Sequence, residues 1–149
     1  MESLSETAIR ARVETKIFER GEEYWRHGAV LSVVKRGESL RAKVEGSDYE
    51  PYSVVIRWQS DGEVEATCDC PYAEEMGDWC KHIVAVLLEY DNEIVEELPP
   101  IREALQKLSQ EQLLDLIVEA SERNPEVHDT IIAVFNGEDL DDEDSEYDY

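Results

Sequence analysis

One short stretch constrains this chain more than any other: Cys68-x-Cys70, nine residues, then Cys80-x-His82. Three sulfurs and one imidazole are the donor set that tetrahedral Zn²⁺ takes in a closed structural site. In an extended chain residues i and i+2 point to the same side, so Cys68 and Cys70 can grip one ion from a strand end. Pro71, Gly77 and Asp78 in the intervening loop let the chain turn back. On a regular helix Cys80 and His82 would lie about 200° apart. The spacing therefore predicts Cys80 at or just before a helix start, with His82 in the first turn. Three thiolates, a neutral imidazole and Zn²⁺ leave about one negative charge. Lys81, between two ligands, and the helix N-terminus both offset it.

Other uses of these residues fit less well. Two cysteines flanking a single residue rarely arise from packing alone. A catalytic Cys–His pair needs a free nucleophile, and here all four groups would be consumed as ligands. A redox Cys-x-Cys leaves Cys80 and His82 unexplained. The expectation is one structural Zn²⁺ per chain, held by Cys68, Cys70, Cys80 and His82.

Charge narrows the remaining functions. Among 149 residues, 37 are acidic and 14 basic, for a net charge of −23. A uniformly basic coat for nucleic acid or anionic lipid is excluded. The longest apolar run, Ile83 to Leu88, has six residues, too few to cross a bilayer. The opening residues carry neither a basic nor an apolar signal region, so the expectation is a cytoplasmic protein. With three cysteines and no export signal, a disulfide framework is disfavoured.

The charge is also uneven. Residues 1–36 hold seven basic against six acidic groups, while 91–136 hold three against eleven. The last thirteen residues carry eight carboxylates and no cation.

Apolar spacing predicts a helix over about residues 6–27, with Ser3 and Glu6 as a capping box, a bend at Gly21 and an end at Gly28. Four strand-like runs follow at 29–34, 39–44, 52–58 and 64–67, separated by turn residues. Leu40, Ala42 and Val44 alternate with Arg41 and Lys43. Tyr52, Val54, Ile56 and Trp58 alternate with residues that include Arg57. An antiparallel meander with one buried face accounts for this, with Phe18 and Trp25 able to cover that face without help from the metal ligands. Arg41, Lys43 and Arg57 then share the other face, near Lys35 and Arg36. A helix over 83–90 follows the cysteines, and Pro99-Pro100 marks a break. Three short helices are expected after it, the second capped by Ser109 and Gln112, the third by Asn124 with Pro125 at its first position. Trp79 is expected to shield the metal, and His27 and His128 to be surface or cap residues.

The motif as written, CDCPYAEEMGDWCKHIVAVLL, resembles the SWIM-type zinc finger: C-x-C, a variable loop, then C-x-H. All four ligand positions of that pattern are filled here. The stretch from Phe18-Glu19-Arg20-Gly21 to Gly28-Ala29-Val30 is similar to the segment preceding the finger in bacterial and archaeal members. The resemblance implies a β-β-α fold around the ion and no catalytic residues within the finger. It also implies a DNA-binding or protein-interaction role, in the company of SWI2/SNF2-type ATPases, transposase-like proteins and recombination factors. The acidic finger departs from the DNA-binding expectation.

Together these features predict an α+β chain: an N-terminal helix, a small antiparallel sheet, a β-β-α zinc finger and a C-terminal helical appendage. Residues 1–98 would form the domain holding the finger at about 64–90, with the appendage at 99–136 and an acidic disordered tail at 137–149. No phosphate loop, paired catalytic carboxylates or nucleophile elbow is found. The expected function is a non-enzymatic zinc-binding adaptor with a protein partner, no membrane and no small-molecule substrate. The alternative is direct nucleic-acid binding by the cationic sheet face.

Overall fold

The computed structural model describes residues 3–137; the expected acidic tail, apart from Gly137, lies outside the described residues. The chain divides into two compact units, one ending at Pro100 and the other starting at Ile101.

The first unit opens with two helices where the sequence suggested one. They are α1 (Glu6–Arg12) and α2 (Thr15–Arg26). The N-cap is Ser5, whose hydroxyl accepts from Ala8 N–H at 3.2 Å, and not Ser3, which donates to Asp91. The break falls at Val13 and Glu14, both extended. Ile9 and Phe18 explain it. On one continuous helix, nine residues apart means about 180°, yet both side chains are fully buried. Gly21 does not bend α2. It lies buried inside the helix, where a β-carbon would come within 2.5 Å of Val84.

Strands β1 (Val30–Arg36), β2 (Ser39–Val44), β3 (Tyr52–Trp58) and β4 (Val64–Cys68) form the expected antiparallel meander. Register pairs Leu40 with Ile56, Ala42 with Val54 and Val44 with Tyr52, so one face is apolar throughout. After the short helix α3 (Pro71–Met76) and the helix α4 (Lys81–Asn92), a further strand, β5 (Glu96–Leu98), joins β1 in parallel. The order is β4-β3-β2-β1-β5, so the sheet is mixed and not purely antiparallel. Nothing in Glu96-Glu97-Leu98 reads as a strand. Partners hold it there: Lys35 pairs with Glu97 at 3.5 Å, and the Arg36 guanidinium donates to the Pro99 carbonyl at 2.8 Å.

Helix α4 packs on the apolar face of the sheet and against α2. Ile83 through Leu88 are all buried, each large aliphatic among them contributing about 1.5–3 kcal/mol by leaving water. Phe18 is fully buried in this core, as expected, but α4 supplies most of the cover over the sheet. Trp25 is half-buried and donates to Glu89 of α4 at 3.1 Å. The helix that follows the cysteines is the centre of the core.

The second unit holds α5 (Ile101–Gln106), α6 (Gln110–Arg123) and α7 (Pro125–Phe135). The capping box of Ser109 and Gln112 is formed in both directions. Asn124 does not cap α7 through its side chain; its amide donates back to the Ala120 carbonyl, closing α6. No residue of these three helices is buried.

Candidate metal centre

Strand β4 delivers the first sulfur. Cys68 stands opposite Val54 of β3, and the pairing runs one residue further, since Ser53 N–H donates to the Asp69 carboxylate at 2.8 Å. The chain stays extended through Cys70, so both thiols fall on one side. Cys70 is also the N-cap of α3, its sulfur accepting from Ala73 N–H at 3.4 Å, with Pro71 in the first turn. Gly77 ends α3 in the left-handed region at φ +66, a conformation that costs glycine little. The chain then returns through Asp78 and Trp79 to Cys80, the N-cap of α4, which puts His82 in the first turn. The sequence placed both residues in these positions.

The four donor atoms lie within 4.8 Å of one another, and all four residues are buried. His82 Nδ1 sits 3.8 Å from Cys68 Sγ and 3.6 Å from Cys80 Sγ. A tetrahedral zinc with ordinary bond lengths has S···N edges of about 3.6 Å and S···S edges of about 3.8 Å. Donor type, number and spacing therefore fit one structural Zn²⁺.

Proton affinities in this cluster diverge. Cys80 is pushed down to about 4, chiefly because the Cys68 thiol donates to its thiolate, with help from His82. Cys68 is pushed up for the converse reason, and burial raises Cys70. Without a cation, these buried sulfurs sustain one negative charge and retain two protons. A divalent ion removes that constraint.

Residues that the motif does not name hold the imidazole. The His82 ring is flanked by Tyr24 of α2, edge-on at 5.4 Å, and Tyr52 of β3 at 4.8 Å. Its Nε2 is buried without a hydrogen-bond partner among the described residues. Lys81 lies with its ammonium 4.7 Å from the Tyr24 ring centre. Trp79 is 5% exposed, and Arg12 lies 4.4 Å above its ring while pairing with Asp78 at 3.2 Å. Tyr24 and Tyr52 carry no sequence signal for this role, since each also reads as an ordinary core aromatic.

The other candidates lie elsewhere. His27 caps α2, with Nδ1 2.7 Å from the Glu23 carbonyl, and His128 is exposed on α7. Arg41, Lys43 and Arg57 are exposed on the sheet face that α4 does not cover; Lys43 bonds Ser53 across the strands. Lys35 instead points with Leu40 and pairs with Glu97.

A closed set of buried N/S donors joining a hairpin to a helix defines a structural zinc-binding module. The SWIM zinc finger family matches residues 49–91, a span that contains all four donors and most of α4. The chain thus carries a SWIM-type zinc finger. It is also similar to MJ1493, described as an uncharacterised protein of Methanocaldococcus jannaschii, at 28% identity over 109 residues. That match covers 73% of this chain and 44% of the relative, so the chain spans less than half of the relative's length. No solved structure matches. No helix of the described residues is long and apolar enough to cross a membrane.

Proposed function

We propose that this chain is a non-enzymatic adaptor: Cys68, Cys70, Cys80 and His82 together coordinate a single Zn²⁺, and the fold so organised joins a protein complex that acts on DNA. A SNF2-type ATPase or a recombination assembly is the fitting context. The carrying observation is closure of the site. All four donors converge, buried, and are used in pinning β4 to α4, so the ion has no position to offer a substrate. Residues 1–98 are the working domain in this reading, with 99–136 as its helical appendage. A thiolate-rich site also suits a reducing cytoplasm.

The test is affinity purification of the tagged chain from its source organism, beside a His82→Ala variant. Direct binding of the recovered protein is then measured with purified components. One partner retained by the native chain, bound directly and lost with the histidine is the expected result. Measurable turnover, or no partner above background, would contradict the reading.

A second reading, direct nucleic-acid binding, draws on one observation. Arg41, Lys43 and Arg57 lie on adjacent strands of the uncovered sheet face. Such binding would weaken steeply with salt, because each neutralised phosphate releases counterions. Arg41→Gln with Arg57→Gln should then flatten the salt slope, whereas an adaptor shows no DNA binding to lose.

A further inference from the structure

The second unit carries more apolar surface than it covers. In α6, Leu114, Ile117 and Val118 are 55%, 45% and 53% exposed, and in α7 Ile132 and Phe135 are 44% and 83% exposed. Spacings of three and four residues put Leu114, Ile117 and Val118 on one stripe of their helix, and Ile132 and Phe135 on one stripe of theirs. No residue of α5, α6 or α7 is buried, and Leu113, Val127 and Ile131 are only half-buried, so the hairpin has a thin core. Helices of this length are marginal unless an apolar face is packed. An exposed apolar stripe such as Leu114, Ile117 and Val118 marks an interaction site.

Charge indicates what covers it. At 100° per residue, Glu111 lies about 20° and Glu122 about 40° from Val118, with Asp115 next in the arc. These three carboxylates are exposed and border the apolar stripe along one side. Arg123, the one cation of α6, is engaged with Glu119 at 2.8 Å. From residue 101 to the end, three basic residues stand against fifteen acidic ones. A second copy of the chain would bring a like-charged surface to the same place, which opposes self-pairing. A cationic surface gains both the apolar contact and the field.

We infer that the α6–α7 hairpin docks an amphipathic helix of a partner protein whose apolar stripe is flanked by Lys or Arg. This rests on the adaptor reading and supplies its docking element. The partner's Leu- or Ile-type residues cover Leu114, Ile117 and Val118, and its cations meet Glu111, Asp115 and Glu122.

The probe is a synthetic Leu/Lys peptide of about five helical turns, with leucines at helical spacing, beside an isomer of equal composition with scattered leucines. Anisotropy titrations use the full chain at low and high salt. The patterned peptide should bind at least about tenfold more tightly than the scattered one, a margin well outside titration error. Leu114→Gln with Val118→Gln keeps good helix formers on the surface and should erase that margin with an unchanged helical signal. Glu111→Gln, Asp115→Asn and Glu122→Gln together should flatten the salt dependence while keeping the preference for the patterned peptide. Equal binding of both peptides would reduce the effect to bulk charge and overturn the inference. So would sedimentation of the native chain as a dimer that Leu114→Gln with Val118→Gln dissociates, since the occupant would then be a second copy. If the patterned peptide fails but the double variant still holds the recovered partner, the docking assignment falls and the adaptor reading stands.

Discussion

Gly46 stands over His82: a β-carbon at residue 46 would lie 3.3 Å from Nε2 and collide with the Tyr52 ring. The loop between β2 and β3 therefore closes over the far edge of an imidazole whose near edge faces the sulfurs. Tyr24, Tyr52 and Gly46 come from three different elements, and none is a donor. Together they fix the orientation of one.

Gly46→Ala should accordingly weaken zinc binding through His82. Displacing groups that orient a ligand typically costs about ten- to a hundredfold in metal affinity. Competition against a chromogenic chelator reads the change, with the exposed neighbour Ser47→Ala as control. Equal zinc retention in both variants would refute the positioning role of residue 46.

Zinc binding near neutral pH should release about two protons. Cys68 and Cys70 hold theirs above the ordinary thiol range in the metal-free fold, while Cys80, at about 4, has already lost its own. The sign follows: the bound form releases protons, so affinity rises with pH and falls on acidification. Calorimetry in buffers of different ionisation heat counts the protons. A count near zero, or near three, would contradict this assignment.

Removing the metal should loosen the first unit as a whole, because α4 begins at the ligands and fills the core beneath the sheet. On chelation or in His82→Ala, hydrogen exchange should quicken together in β3, β4 and α4 while α6 is unchanged. Loss of protection confined to residues 69–80 would show that the core stands without zinc.

Gly21→Ala should destabilise the first unit by about 1–3 kcal/mol, the usual cost of overpacking. The added methyl would lie 2.5 Å from Val84. Pairing it with Val84→Gly, which removes both the Cβ and the Cγ1 that the methyl would meet, should recover part of the loss in a double-mutant cycle read by denaturant unfolding. Strict additivity would mean that the two helices do not meet at this point.

Much of the metal centre was legible because its information is local. Cys68 and Cys70 share a side by strand alternation alone. The bar on placing Cys80 and His82 together on a regular helix forces Cys80 to the N-cap. Alternation likewise assigned Leu40, Ala42, Val44, Val54 and Ile56 to the buried face of the sheet. Ser109 and Gln112 announced the start of α6 from side-chain chemistry three residues apart.

The remainder depends on distant partners. Glu96-Glu97-Leu98 becomes a strand because β1 offers an open edge and cations to hold it. Gly21 reads as a helix breaker until Val84 is seen against it, and the true break at Val13 is set by the need to bury both Ile9 and Phe18. The sequence by itself determined the donor set and the strand pattern, since these rest on backbone periodicity and ligand chemistry. Only the tertiary structure decided that α4 fills the core and that Tyr24, Gly46 and Tyr52 frame His82. Contacts between residues tens of positions apart leave no periodic trace in the chain.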